Sequence, residues 1–170
     1  MASQQKDKFA NKFYGVVVES AANTLTFKEI PTNVDVFSKT AWCLHRLEWY
    51  IPPATVALLI GAGDSISCAL TSSDKLTTLG LDNAGVVDLF TKTITVLSVA
   101  DHSFHVGPEC RDFSTLPGGG LIIAPRPLYL ACKSESLAAA STVHCRGFFT
   151  QIQLNADEYL ELVDFYRIVQ

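Results

Sequence analysis

The chain is short of charge. Of its 170 residues, 18% are Asp, Glu, Lys or Arg and 48% are hydrophobic, a leaner charged share than the roughly 25% of an ordinary soluble domain. That balance excludes disorder of the whole, since there is enough apolar surface to offset the chain entropy lost on folding. A strong field of either sign is missing too. Thirteen basic against 17 acidic side chains leave a formal net charge of -4, which gives no general attraction for a phosphate backbone or an anionic membrane. There is no CxxC pair among Cys43, Cys68, Cys110, Cys132 and Cys145, so neither a zinc framework nor a paired disulfide scaffold is indicated. Cys68, Cys132 and Cys145 stand in alternating apolar contexts and read as small buried hydrophobes.

A long hydrophobic span is also lacking. Trp49 to Gly63, WYIPPATVALLIGAG, has no formal charge, but it is too short to cross a bilayer and is broken by Pro52 and Pro53. A second uncharged stretch, Phe113 to Pro125, carries three successive glycines into Leu-Ile-Ile. The polar opening has no apolar core of a secretory signal, so a soluble intracellular product is expected. Residues 1–12 read as a polar tail with Lys6, Lys8 and Lys12 against Asp7, and residues 13–170 as one domain.

The residues that would carry a reaction do not gather into a motif. Gly61-Ala62-Gly63-Asp64-Ser65 has the glycines of a phosphate loop but no lysine, and its aspartate would repel phosphate. His102, His105 and Cys110 are the strongest metal candidates, yet on a strand an offset of three points the two rings to opposite faces. His45 near Cys43 and His144 beside Cys145 build no ligand framework. A hydrolase would need Ser65 or Cys110 as nucleophile, His102 or His105 as base and Asp101 or Asp112 to orient it. Scattered residues supply those names by chance, because geometry defines a triad. A cupin-like barrel collecting histidines at one mouth is the enzyme alternative, but the close histidine and glutamate set is absent. Asp157 and Glu161 sit on a terminal helix, where they favour solubility over acid-base work. No catalytic residue, cofactor or metal is therefore expected.

What is present is a series of short strand-like segments separated by turns. Residues 23–30, 33–37, 41–51, 55–60, 65–70, 91–99, 102–106, 120–123, 128–132 and 141–154 alternate or are uniformly apolar, which predicts an all-β sandwich or barrel. In 41–51 the face carrying Cys43, His45, Leu47, Trp49 and Ile51 is the more apolar and is expected inward. Residues 76–85 read as a surface connection, and Leu116 to Gly120 as a tight or mobile turn. The end changes character. Asn155-Ala156-Asp157-Glu158 is a capping box, Leu154 and Tyr159 can close over it, and Tyr159, Leu162, Val163 and Tyr166 fall at helical spacing, predicting a helix over about 155–167.

With its polar tail, FYGVVV, LHRLEWYIPP, GGGLIIAPRPLYLACKS and VHCRGFFTQIQL, the chain resembles the single jelly-roll capsid or coat proteins of icosahedral viruses over most of residues 13–154. The resemblance implies an antiparallel jelly-roll β-sandwich with short helical elements, including the C-terminal helix. It implies a structural subunit of a viral shell, located in the virion after assembly in the host cell, with copies of itself and other capsid proteins as partners and no catalytic residues. Many RNA-packaging coats carry a strongly basic arm, and this tail does not, which argues against direct nucleic-acid binding. The uncharged corner and turns, with the aromatics of the helix, single out Trp49, Tyr50, Pro52, Pro53, Pro117, Tyr159 and Tyr166 as candidate interface residues. A non-viral protein-binding adaptor of the same sandwich class is the alternative function.

Overall fold

The computed structural model describes residues 4–5, 9–31, 40–94, 108–124 and 126–168. They form two facing antiparallel sheets. The first contains β1 (Gln4–Gln5), β2 (Asn11–Val18), β4 (Thr40–Tyr50), β7 (Glu109–Asp112), β8 (Leu121–Ile123) and β10 (Thr142–Gln153). β10 and β4 lie at its centre, β1 and β2 follow one another along the free side of β10, and β7 and β8 do so along β4. The second sheet runs β3 (Thr26–Ile30), β9 (Leu128–Glu135), β5 (Ser65–Thr71), β6 (Val86–Thr93). Along the chain, β2 to β3, β3 to β4, β4 to β5 and β9 to β10 each change sheet, so most strand partners are far apart in sequence. This is the jelly roll. The expected strands at 33–37 and 102–106, and the end of 91–99, fall outside the described residues.

Between the sheets lies one apolar core. Trp49, Leu44, Leu47, Ile66, Leu70, Ile123, Leu128 and Leu130 are fully enclosed in it, each such side chain stabilising the fold by about 1.5–3 kcal/mol relative to exposure. At one end Phe13 crosses over Gly147, its neighbour on β10. Its ring stacks 5.8 Å from that of Trp42, which in turn stacks 3.9 Å from Phe149. Buried Glu19 at the end of β2 is matched by three donors: the amide of Ser134 at 2.6 Å, its hydroxyl at 2.6 Å and the amide of Ser141 at 2.8 Å.

Two local expectations need correction. In β4 Leu47 and Trp49 face the core, as does Ile51 just beyond it, but so do Trp42 and Leu44, whereas Cys43 does not. The cause is a β-bulge: Arg46 pairs with Phe148 and Leu44 with Phe149, leaving His45 as the extra residue. One inserted residue reverses the inward face beyond it. His45 is held there by Nδ1–H donating to Gly119 O and by a hydrogen bond between Nε2 and the Thr150 hydroxyl, each at 2.9 Å. Residues 55–60 are not a strand either. Pro52-Pro53 opens the short helix α1 (Pro53–Val56), with Thr55 N and Val56 N bonding back to Pro52 O, both at 2.9 Å. Proline at the first helical position has its φ preset and no amide to waste.

The glycine turn over the bulge is tight. Gly118 and Gly119 have φ of 89° and 78°, and Gly120 lies against β4, where a Cβ would come within 2.6 Å of Cys43 Sγ and 2.8 Å of the Leu44 carbonyl oxygen. Gly120→Ala is expected to cost about 1–3 kcal/mol, as overpacking does, and to lower the midpoint of urea unfolding; an unchanged midpoint would contradict this packing.

The C-terminal helix α2 (Ala156–Ile168) begins as its sequence predicts. Glu158 N donates to Asn155 Oδ1 at 2.8 Å and Asn155 N to Glu158 Oε2 at 3.0 Å, closing the capping box. Tyr159 and Leu162 pack on Ala41, Cys43, Ile152 and Leu154, forming a second small core on the outer face of the first sheet. The bulge thus has a structural consequence: by turning Cys43 outward it supplies the apolar floor on which the helix sits.

Candidate functional site

The outer face of the first sheet, beyond the helix, carries the most elaborate arrangement of polar and aromatic side chains. Register builds it. His144 on β10 pairs with Val16 and Tyr50, and Arg146 pairs with Tyr14 and Glu48. Alternation then sends Tyr14, Tyr50, Glu48, His144 and Arg146 to the same outer side. They line a cleft of about 360 Å³, with Pro108 at its rim.

At the centre of the cleft, His144 is bracketed by two phenols. Its ring centroid is 5.9 Å from that of Tyr14 and 5.8 Å from that of Tyr50, the latter edge-on, and the Tyr14 hydroxyl hydrogen-bonds the imidazole Nδ1. Alongside, the Glu48 carboxylate is shared by two guanidiniums. Arg46 reaches Oε1 at 2.7 Å, and Arg146 donates to Oε2 through Nε at 2.7 Å and also through Nη2. Glu48 is buried while both arginine side chains are half exposed. Arg146 also lies over the Phe148 ring, 5.4 Å from its centroid, a favourable placement for a cation. With Asp112 opposite Arg46 on β7, two acids face two guanidiniums and the cluster beside the aromatic rings has no net charge. Arg46 is further hydrogen-bonded to the Cys110 thiol at 3.1 Å, and the Asp112 carboxyl is held below its ordinary range chiefly by the Ser114 hydrogen bonds.

Of the cysteines, Cys43, Cys68, Cys132 and Cys145 are buried and Cys110 is exposed; all five are free thiols. Burial pushes the Cys132 thiol up to about 12, and the Cys68 and Cys145 thiols also rise, so little thiolate forms there at neutral pH. A maleimide reagent on the native protein is therefore expected to label one thiol quickly, Cys110, and all five only after denaturation. Fast labelling of two or more native thiols would contradict the core assignment.

The sequence-derived interface candidates do not gather in one place. Trp49 is fully enclosed, with its indole nitrogen donating to Asp88 Oδ2 at 2.8 Å. Tyr50 lines the cleft, Pro52 is half buried, and Pro53 and Pro117 are exposed. Tyr159 is half buried in the core beneath the helix, and of Tyr166 only its place in α2 is described. His102 and His105 lie outside the described residues. Asp64 turns inward to accept the amides of Ile60 at 3.0 Å and Gly61 at 2.7 Å, capping its own glycine turn. Among the described residues no group of three or more His, Cys, Asp or Glu side chains is placed to hold a metal, and no helix is long and apolar enough to cross a membrane.

Sequence reasoning placed Arg46, Glu48 and Tyr50 on one face but missed their partners Tyr14, His144 and Arg146. The alternation of His144, Arg146 and Phe148 against Val143, Cys145 and Gly147 was the available signal; pairing register was needed to join it to the other strands.

No protein-family model matches the chain, and no curated protein does. Solved structures do share its fold. VP1 of Trichodysplasia spinulosa-associated polyomavirus superimposes over 91% of this chain and 99% of that one, with a TM-score of 0.56 and 8% identity. The unassembled VP1 pentamer of Merkel cell polyomavirus matches over the same shares, with a TM-score of 0.54 and 5% identity. The unassembled VP1 pentamer of KI polyomavirus does so with a TM-score of 0.52 and 12% identity. At these identities the likeness is one of fold, and the chain has the jelly-roll fold that these VP1 structures share.

Proposed function

We propose that the chain is a structural capsid subunit that self-assembles through symmetric contacts into a viral shell, with copies of itself and other capsid proteins as its partners and the virion as its location. The observation that carries this reading is the extent of the fold match: 91% of the chain follows VP1 structures, two of them described as unassembled pentamers. A match of that extent leaves little of the chain for an added catalytic unit. Charge-poor projections support the reading. Pro53, Pro117 and the partly open Pro52 offer apolar contact area with few charges to desolvate. The weak charge of residues 1–12 keeps direct genome binding outside the proposal.

Static light scattering of the purified full chain tests it. The expected molar mass is a fixed multiple of the 18.5 kDa subunit, reached above a threshold concentration because closed symmetric contacts form together. A single-chain mass at every concentration, ionic strength and pH would overturn the proposal.

A further inference from the structure

The outer face of the first sheet holds two surfaces of opposite character at its two ends. At one end, α2 rests on the sheet and turns its other side to solvent, where Asp157, Glu161 and Asp164 are exposed around Leu160, itself 59% exposed. Residues 156–166 contain no basic side chain. At the other end is the aromatic cleft, with Tyr14 64% exposed and the half-exposed guanidiniums of Arg46 and Arg146 beside it. Exposed Lys12 lies two residues along β2 from Tyr14.

We infer that these two surfaces recognise each other between copies: Leu160 of one subunit enters the Tyr14–Tyr50–His144 cleft of a second, and the acids around Leu160 meet Arg46 and Arg146. The inference rests on the self-assembly reading and names one contact within it. Three observations converge on a second copy of this chain as the occupant. The charges are complementary, with an acidic helix face against a cleft rim where Lys12, Arg46 and Arg146 outnumber Glu48 and Asp112 by one. The size is sufficient, because a cleft of about 360 Å³ has room for a leucine side chain laid over the rings. The helix cannot fill the cleft of its own chain. It is anchored over Ile152 and Leu154, while His144 is eight residues up the same strand, about 26 Å away at the rise of a β-strand.

The placement also sets the symmetry. Both surfaces lie on one face of one sheet, so a twofold axis between two such faces brings each helix to the other subunit's cleft at once. Two identical contacts then form per pair, an isologous arrangement that closes on itself. The mode is an amphipathic helix laid into a groove. Its apolar centre is flanked by charge pairs that steer the encounter and fix register more than they add affinity.

The test uses the full chain with Cys110→Ser, which removes the exposed thiol. Leu160→Cys and Tyr14→Cys are made separately in that background, mixed, and treated with a short bis-maleimide. The expected result is a cross-linked heterodimer in the mixture that neither variant gives alone. In parallel, Leu160→Glu, a change at an exposed position, is expected to weaken self-association at least about tenfold with the circular dichroism and melting temperature unchanged. The triple change Asp157→Lys, Glu161→Lys, Asp164→Lys is expected to do the same. A chain that assembles normally in both helix variants and gives no mixed cross-link would overturn this contact while leaving self-assembly standing. A chain that is monomeric before any change would overturn both.

Discussion

Trp49→Ala is expected to lower stability by about 3–5 kcal/mol, the cost of deleting a large aromatic from a closed core. Folded domains have only about 5–15 kcal/mol in hand, so the variant should be partly unfolded or recovered as aggregate. Two losses combine. The side chain is fully buried on β4 between Cys145 of β10 and Glu109 of β7, and its removal opens a void that close-packed neighbours fill only in part. The indole also donates to Asp88 of β6, in the opposite sheet, so among the described residues the carboxylate would keep only the distant Arg111 at 3.9 Å. Trp49→Phe separates the terms: it retains much of the apolar area and should cost roughly half as much. The next residue gives the contrast. Tyr50→Ala changes the cleft and is expected to shift the urea midpoint little while weakening assembly, so equal destabilisation by the two alanine variants would contradict the inward and outward assignment.

The second large effect is expected at Glu19. Its carboxylate, 3% exposed, ties the end of β2 to the β9–β10 connection. The same connection is held by Asn23, whose side chain accepts from Leu137 N at 2.9 Å and donates to Leu137 O at 3.1 Å. Glu19→Ala leaves two buried amides and a hydroxyl without their acceptor. Each unsatisfied group costs about 1–3 kcal/mol, so a loss of about 3 kcal/mol or more should appear in chemical denaturation. Glu19→Gln keeps one acceptor oxygen but turns an amide NH₂ towards donors, and an intermediate loss is expected. A Glu19→Ala protein as stable as the parent would show that solvent reaches this corner.

How far the sequence discloses these features depends on whether they are local. The capping box at Asn155 and Glu158 was legible because its donors and acceptors lie three residues apart. β5, β9 and β10 were legible from alternation, which survives wherever one face is buried. The bulge at His45 was not, since an extra residue shows itself only against the partner strand, and without it Trp42 and Leu44 fell on the wrong face. Residues 55–60 were misread because a short apolar run has no period to distinguish a strand from a helical turn; Pro53 at the first helical position was the usable sign. β6 starts earlier than expected because Asp88 interrupts its apolar pattern, yet Asp88 is matched across the core by Trp49. The cleft was illegible for a related reason. Tyr14, Glu48 and His144 come from three strands, and only register makes them neighbours.

Under the proposed self-assembly, the outer face of those three strands is the surface on which copies meet. Electron microscopy of the full chain, at concentrations above and below the onset of association, tests the capsid-subunit reading most directly. The account predicts closed particles of uniform size with rotational symmetry in their class averages. A field of single subunits, or open filaments without closure at every condition, would contradict it.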